Sequence, residues 1–227
     1  MFDNLLDFWK GKDFLSEVLK EFESMLDTAH MIYDTAVNSL LDFKKDDSSK
    51  QMIYSNDRKV NEAEKDIRRR VIEHLAINPS VDVPTCLVLM SVVKDVERIG
   101  DYGKNLYEAA ELLQNPLTDD LKKKYLSDLV QKLNEQFNFA KQAFLNSDKS
   151  KAKEVMSLEG YIIPNADKFI KELSNSDFDT NTSVCLVLSV RYLKRIAAHL
   201  ANTASSVIMP VSDIDFYYKN KDKKDQN

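Results

Sequence analysis

Four glycines and five prolines in 227 residues leave little material for turns. A β-rich or loop-rich chain is excluded, and long uninterrupted elements are expected, which means helices. Two cysteines, Cys86 and Cys185, are too few for a disulfide framework; both sit in apolar runs, TCLVLM and VCLVLS, and read as buried free thiols in a reducing compartment. No apolar run approaches the ~18 residues of a membrane span. The opening MFDNLLDFWKGKDF lacks the basic start and apolar centre of a secretion signal, so a cytoplasmic protein is expected. The chain also lacks excess positive charge: at a net −5, general nucleic-acid binding is not expected. The local run Lys65, Arg68, Arg69 and Arg70 reads as the solvated face of a helix.

What is present is helical periodicity. Phe14, Val18, Phe22, Met25, Ala29, Ile32, Ala36 and Leu40 recur every three or four residues and form one buried stripe of a first helix. The polar loop FKKDDSSKQ, residues 43 to 51, ends it. A second helix is expected from about 51 to 76, with Ile53, Val60, Ala63, Ile67, Val71 and Leu75 inward. NPSVDVP, residues 78 to 84, makes a turn, and Pro84 suits the first position of a third helix from about 84 to 114. A fourth is expected from about 118 to 146, carrying Leu121, Tyr125, Leu129, Leu133, Phe137 and Phe144. A fifth, about 152 to 173, should kink or break at Gly160 and Pro164. A sixth should run from about 180 to 207 and stop at Pro210, followed by a disordered low-complexity tail.

The order of helices suggests one three-helix plan used twice. An offset of 97 sets VKDVERIGDYGKN on VRYLKRIAAHLAN, with Val, Arg, Ile and Asn identical. The fold class read from the sequence is therefore all-α: six long helices in two repeated three-helix bundles. The units span 1–116 and 117–211, with 212–227 as the tail.

One stretch, KDVERIGDYGKN at 94 to 105, works against its own helix. Glu97 and Asp101 put two like charges one turn apart, and Gly100 and Gly103 each cost ~1 kcal/mol relative to alanine. The second helix carries Asp57, Asn61 and Glu64, also on one face. If helices two and three form an antiparallel hairpin, Asn61 lies 17 residues before the turn, and Glu97 and Asp101 lie 14 and 18 after it. At ~1.5 Å per residue those heights agree within about a turn. Oxygen ligands from two helices could then converge on a hard or borderline cation such as Mg²⁺, Mn²⁺, Fe or Ca²⁺, with the glycines admitting close helix approach. Acidic pairs at this spacing are also common on solvated faces, where neighbouring Lys or Arg neutralises them. A ferritin-like di-iron site would need two Glu-x-x-His motifs, and only Asp27-x-x-His30 comes near. His30, His74 and His199 read as ordinary core or surface histidines. Neither a Ser-His-Asp pattern, a phosphate-cradling glycine loop nor Cys-x-x-Cys occurs, so nucleophilic catalysis is not indicated.

KDVERIGDYGKNLYEAA resembles the signature of the PhoU family, in which an Asp-Leu-Glu-Arg-Ile-Gly-Asp-like run opens into an Asn-Ile-Ala-Glu-like one. NDRKVNEAEKDI, residues 56 to 67, is similar to the family's other motif. The resemblance covers nearly the whole chain. It implies two three-helix bundles, no enzymatic activity, and regulation of phosphate transport and phosphate signalling through a phosphate transporter or a sensor histidine kinase. It implies contact with a membrane only through such a partner, and a homodimer would be in keeping with the long amphipathic helices. Family members bind metal clusters through Glu/Asp-x-x-x-Asp pairs. Carried over by position, the ligands for one Fe, Mn, Mg or Zn site in the first unit would be Asp57, Asn61, Glu97 and Asp101, with Glu64 as an addition. The second unit departs from the pattern: Lys194 and Ala198 replace the acids of helix six, and Ala152 and Met156 those of helix five, leaving Glu159. No metal is expected there. That departure suggests a divergent member, nearer the accessory proteins of sodium- or proton-coupled phosphate transporters. The rivals are a metal-free helical adaptor and a metal-dependent hydrolase using the same carboxylates.

Overall fold

The computed structural model describes residues 13–77 and 82–214. Of the expected tail, 212–227, the part from 215 onward lies outside them, as do most of the 78–84 turn and the side chain of Phe14; residues 212–214 are ordered, with Ile214 buried in the core. Seven α-helices run in order through the described residues: α1 (Asp13–Leu41), α2 (Asp47–Ile77), α3 (Val83–Leu112), α4 (Asp119–Tyr125), α5 (Ser127–Asn146), α6 (Lys149–Ser174) and α7 (Thr180–Ile208). A short 3₁₀ turn, Val211–Asp213, follows.

The periodicity of α1 is realised in the core. Val18, Phe22, Met25, Ala29, Ile32, Ala36 and Leu40 are all buried. On α2, Ile53, Val60, Ile67 and Val71 point inward, and Ala63 and Leu75 pack at the margin. Both cysteines are buried.

Three boundaries differ from the sequence reading, each for a local reason. α2 begins at Asp47 rather than near 51, because the Ser49 amide donates to Asp46 Oδ1 at 2.7 Å and starts the helix inside the supposed loop. The expected fourth helix is interrupted at Leu126, whose backbone (φ −120°, ψ −46°) leaves the helical region. That offset buries both Tyr125, edge-on to Phe169 at 5.6 Å, and Leu126. α6 begins at Lys149, since Asp148 accepts from the amides of Ser150 and Lys151. α6 also runs unbroken through Gly160 and Pro164. The proline ring faces the carbonyl of the residue four before it, which here is Gly160; both residues lie on the exposed side, so the carbonyl left without its amide donor meets water.

α3 is the central element, packed on α1 and α2 within its own unit and on α7 across the molecule. The units meet through two antiparallel pairs. In α1/α5, Phe22 lies 4.4 Å from Phe144 and His30 stacks on Phe137 at 4.2 Å, with Lys141 holding Asp27 at 2.7 Å outside. In α3/α7, Asp95 meets His199 and Tyr102 meets Tyr192. The 97-residue offset exchanges these last two contacts: Asp95 corresponds to Tyr192, and Tyr102 to His199. One geometric contact is thus made twice, once polar and once aromatic.

Glu159 of α6 is buried, and burial pushes its carboxyl up to about 7. The neutral form is favoured in the fold, so the group's contribution is complete below the unfolded value of 4.5 and is lost as pH rises through about 7. Glu159→Gln should therefore be more stable than the parent at pH 8 by about 3 kcal/mol and equal to it at pH 4. Urea unfolding at the two pH values measures this; an equal difference at both would show that Glu159 ionises freely in the fold.

Candidate functional site: a carboxylate face on α2 and α3

α2 and α3 do form the antiparallel hairpin, and the heights expected for their acids hold. Tyr54 donates to Glu108 at 2.9 Å, Lys104 reaches Asp57, Lys94 approaches Glu64, and His74 meets Asp82 at 2.8 Å. Asp57, Asn61 and Glu64 lie along one face of α2, opposite Glu97 and Asp101 of α3. Gly100 sits between the two acids of α3, where an added Cβ would stand 3.3 Å from Val60 Cγ1 on α2. Gly103 faces elsewhere: its Cβ would be 2.9 Å from Ile32 Cγ2 and 3.2 Å from the Tyr33 amide nitrogen of α1. One glycine serves the α2/α3 approach and the other the α1/α3 approach.

Each carboxylate on this face has a cation beside it. The Lys104 ammonium donates to both oxygens of Asp57 at 3.0 Å and to Asp101 Oδ1 at 3.4 Å. Asp101 also accepts from Arg98 at 3.2 Å. Lys94 donates to Glu97 Oε2 at 2.7 Å and stands 3.8 Å from Glu64 Oε1, which Arg68 approaches to 2.9 Å. Asn61 is half-buried on the same face and makes none of these pairs. Four carboxylates are thus set against four basic groups in alternation along two helix faces.

The electrostatics follow from burial and pairing. Burial pushes the Glu97 carboxyl up; the Lys94 hydrogen bond pulls it back, and the Asp101 charge adds to the rise. Burial draws the Lys104 ammonium down, but hydrogen bonds and charge from Asp57 and Asp101 outweigh it and hold Lys104 above its ordinary range. Among the described residues, no three His, Cys, Asp or Glu side chains are disposed to hold a metal ion. The Lys104 ammonium stands between Asp57 and Asp101 and takes the oxygens they turn toward each other, while Glu64 Oε1 is buried with no hydrogen bond, held only by the charges of Arg68 and Lys94.

The corresponding face of the second unit is different in kind. Lys194, at the position matching Glu97, pairs with Asp167 of α6 at 2.5 Å, and Ala152 and Met156 are buried in the core.

Sequence reasoning missed the polar contact between units. Asp95, buried beside Glu97's turn, accepts from His199 Nδ1 at 2.7 Å and from Asn202 Nδ2 at 3.0 Å. A carboxylate only accepts, so Nδ1 carries the proton; Nε2 is buried without a hydrogen-bond partner. The imidazole stacks on Tyr102 at 5.6 Å, and Arg195 donates to the Tyr102 hydroxyl at 3.2 Å. His199 is therefore an interface histidine. The repeat relates this contact to that of Tyr102 with Tyr192, but any antiparallel register of α3 on α7 satisfies the offset of 97, so no sequence signal singles out the pair. The basic run on α2 is solvated only in part: Arg69 is exposed beside Asp66, whereas Arg68 pairs with Glu64 and Arg70 reaches across to Glu21 of α1, both half-buried.

Comparisons with known proteins agree with this architecture. None of the curated proteins matches the sequence. The chain is similar in structure to the crystal structure of PhoU from Pseudomonas aeruginosa, with a TM-score of 0.73 and 22% identity, covering 88% of this chain and 97% of that one. It is also similar to the crystal structure of the phosphate transport system regulatory protein PhoU from Streptococcus pneumoniae, with a TM-score of 0.71 and 22% identity, covering 86% and 95%. The family model described as the PhoU domain matches twice, over residues 22–110 and 126–207, one copy in each helical unit, and the chain therefore belongs to the PhoU family.

Proposed function

We propose that this protein is a regulator of phosphate transport and phosphate signalling that acts by docking rather than by catalysis. The observation that carries the reading is the double match of the PhoU domain, which takes in both helical units. The S. pneumoniae structure, described as a phosphate transport system regulatory protein, shares the architecture over most of both chains. The partner would be a phosphate transporter or a sensor histidine kinase, engaged from the cytoplasmic side; among the described residues no helix is long and apolar enough to cross a membrane. Binding would act by favouring one conformation of that partner over another. The chemistry of the polar face supports docking over hydrolysis: its acids are paired with lysine and arginine, and no nucleophile stands beside a base there.

Deletion of the gene should change radiolabelled phosphate uptake and the response of a phosphate-starvation reporter, and a plasmid copy should restore both. If uptake and reporter are unchanged, the regulatory reading fails. A phosphatase activity lost in Glu97→Ala would replace it with the hydrolase.

A further inference from the structure

The carboxylate face of the first unit is built as if for a cation, yet it already contains cations. Asp57, Glu64, Glu97 and Asp101 bring four negative charges; Lys94, Lys104, Arg68 and Arg98 bring four positive ones. The two lysines hold the bridging positions. Lys104, three residues past Asp101 on α3, crosses to α2 and takes both oxygens of Asp57 at 3.0 Å. Lys94, three residues before Glu97, lies between Glu97 on its own helix and Glu64 on α2. Both ammoniums therefore tie α3 to α2 at the heights where a metal ion would, and the Lys104–Asp57 pair is mostly shielded from water, with side chains 21% and 13% exposed.

We propose that Lys94 and Lys104 are resident counter-cations that replace a metal in the first unit, so that its α2/α3 face is held together without one. A divalent ion entering between Asp57 and Asp101 must expel the Lys104 ammonium, which then loses three oxygen contacts in a site already neutral overall. Its departure leaves a single uncompensated negative charge against the ion's two positive ones, so the exchange leaves the face positive. Oxygen donors of the right type are present for a hard cation, but those of Asp57 and Asp101 are occupied by Lys104 and Arg98. The second unit reaches the same end by substitution, with Lys194 at the position of Glu97.

The inference does not depend on what the protein regulates, since its test is a binding measurement. Titration calorimetry and thermal shift with Mn²⁺ and with Mg²⁺ are made on the full chain, on Lys104→Met and on Lys94→Met/Lys104→Met. The parent should show no saturable binding tighter than about 1 mM. Lys104→Met, which keeps the Lys94 and Arg68 pairs, should bind Mn²⁺ at least about tenfold tighter than the parent, and the double variant tighter still, with the gain abolished by adding Asp57→Asn. Lys104→Arg, which restores a cation, should return binding to the parent's level. Stoichiometric Mn²⁺ or Mg²⁺ binding by the parent, lost in Asp57→Asn, overturns the proposal. Binding by Lys104→Met no tighter than the parent's, with its helical circular dichroism intact, overturns it as well.

Discussion

Gly103→Val should lower stability by about 3 kcal/mol or more and shift the urea midpoint without changing the slope. A single Cβ at this position would already stand 2.9 Å from Ile32 Cγ2 and 3.2 Å from the Tyr33 amide nitrogen. The methyl could in principle turn away, but a backbone nitrogen inside α1 moves only with its helix. Ile32 and Tyr33 are both fully buried, so α1 cannot shift without opening the core around Phe137, which lies 5.0 Å from the Tyr33 ring. Gly103→Ala tests the same contact more gently. It gains ~1 kcal/mol of helix propensity and loses ~1–3 in overpacking, leaving a net loss of about 1 kcal/mol. Gly100→Ala is the internal control. Its Cβ meets only the Val60 and Ile32 side chains at 3.3 Å and beyond, which can yield, so the variant should be neutral or slightly stabilised. Equal effects at the two glycines would show that close helix approach is not why Gly103 is there.

His199→Ala should cost about 3 kcal/mol, more than its modest loss of apolar contact explains. It leaves the buried Asp95 carboxylate with Asn202 as its one remaining donor across the interface and strips the Tyr102 ring of its stacking partner. Much of the loss comes from stranding Asp95, so removing both partners should be milder. Asp95→Leu/His199→Phe should recover most of the stability, because the symmetry-related contact, Tyr102 with Tyr192 at 6.1 Å, shows that a ring pair fits this geometry. A double-mutant cycle by urea unfolding measures the coupling. If the single variant loses less than about 1 kcal/mol, or the double variant loses the sum of the two singles, the Asp95–His199 pair does not hold the units together.

Much of the α2/α3 face is legible from spacing. Glu97 and Asp101 must share a side of their helix, and counting residues from the turn places Asn61 across from them, with Asp57 and Glu64 on the same face. Two of the pairings, Lys94 with Glu97 and Asp101 with Lys104, are three residues apart and readable as neighbours on one turn. What spacing does not reveal is that the same ammoniums also cross to Asp57 and Glu64. A lysine has four rotatable carbons, so its reach is decided by how closely the helices approach. That approach depends on Gly100 against Val60 and on the packing of α1 behind both.

The glycines show the same division. Low propensity in a helix interior signals a close contact at 100 and 103, but the sequence does not say with which neighbour. The answer, α2 for one and α1 for the other, follows from α3 lying in the middle of its bundle. Asp95 and His199 are further still from sequence reasoning, because they are 104 residues apart and meet only through the antiparallel register of α3 on α7.

The sequence by itself determined the helices, their buried stripes, the twofold plan and the residue types of the polar face, since these depend on periodicity and on local backbone cost. Only the tertiary structure decided which charges neutralise which, which glycine serves which crossing, and that a histidine binds the units together. Those are set by the distances and angles between helices, which sum over the whole core and are encoded in no single stretch of it.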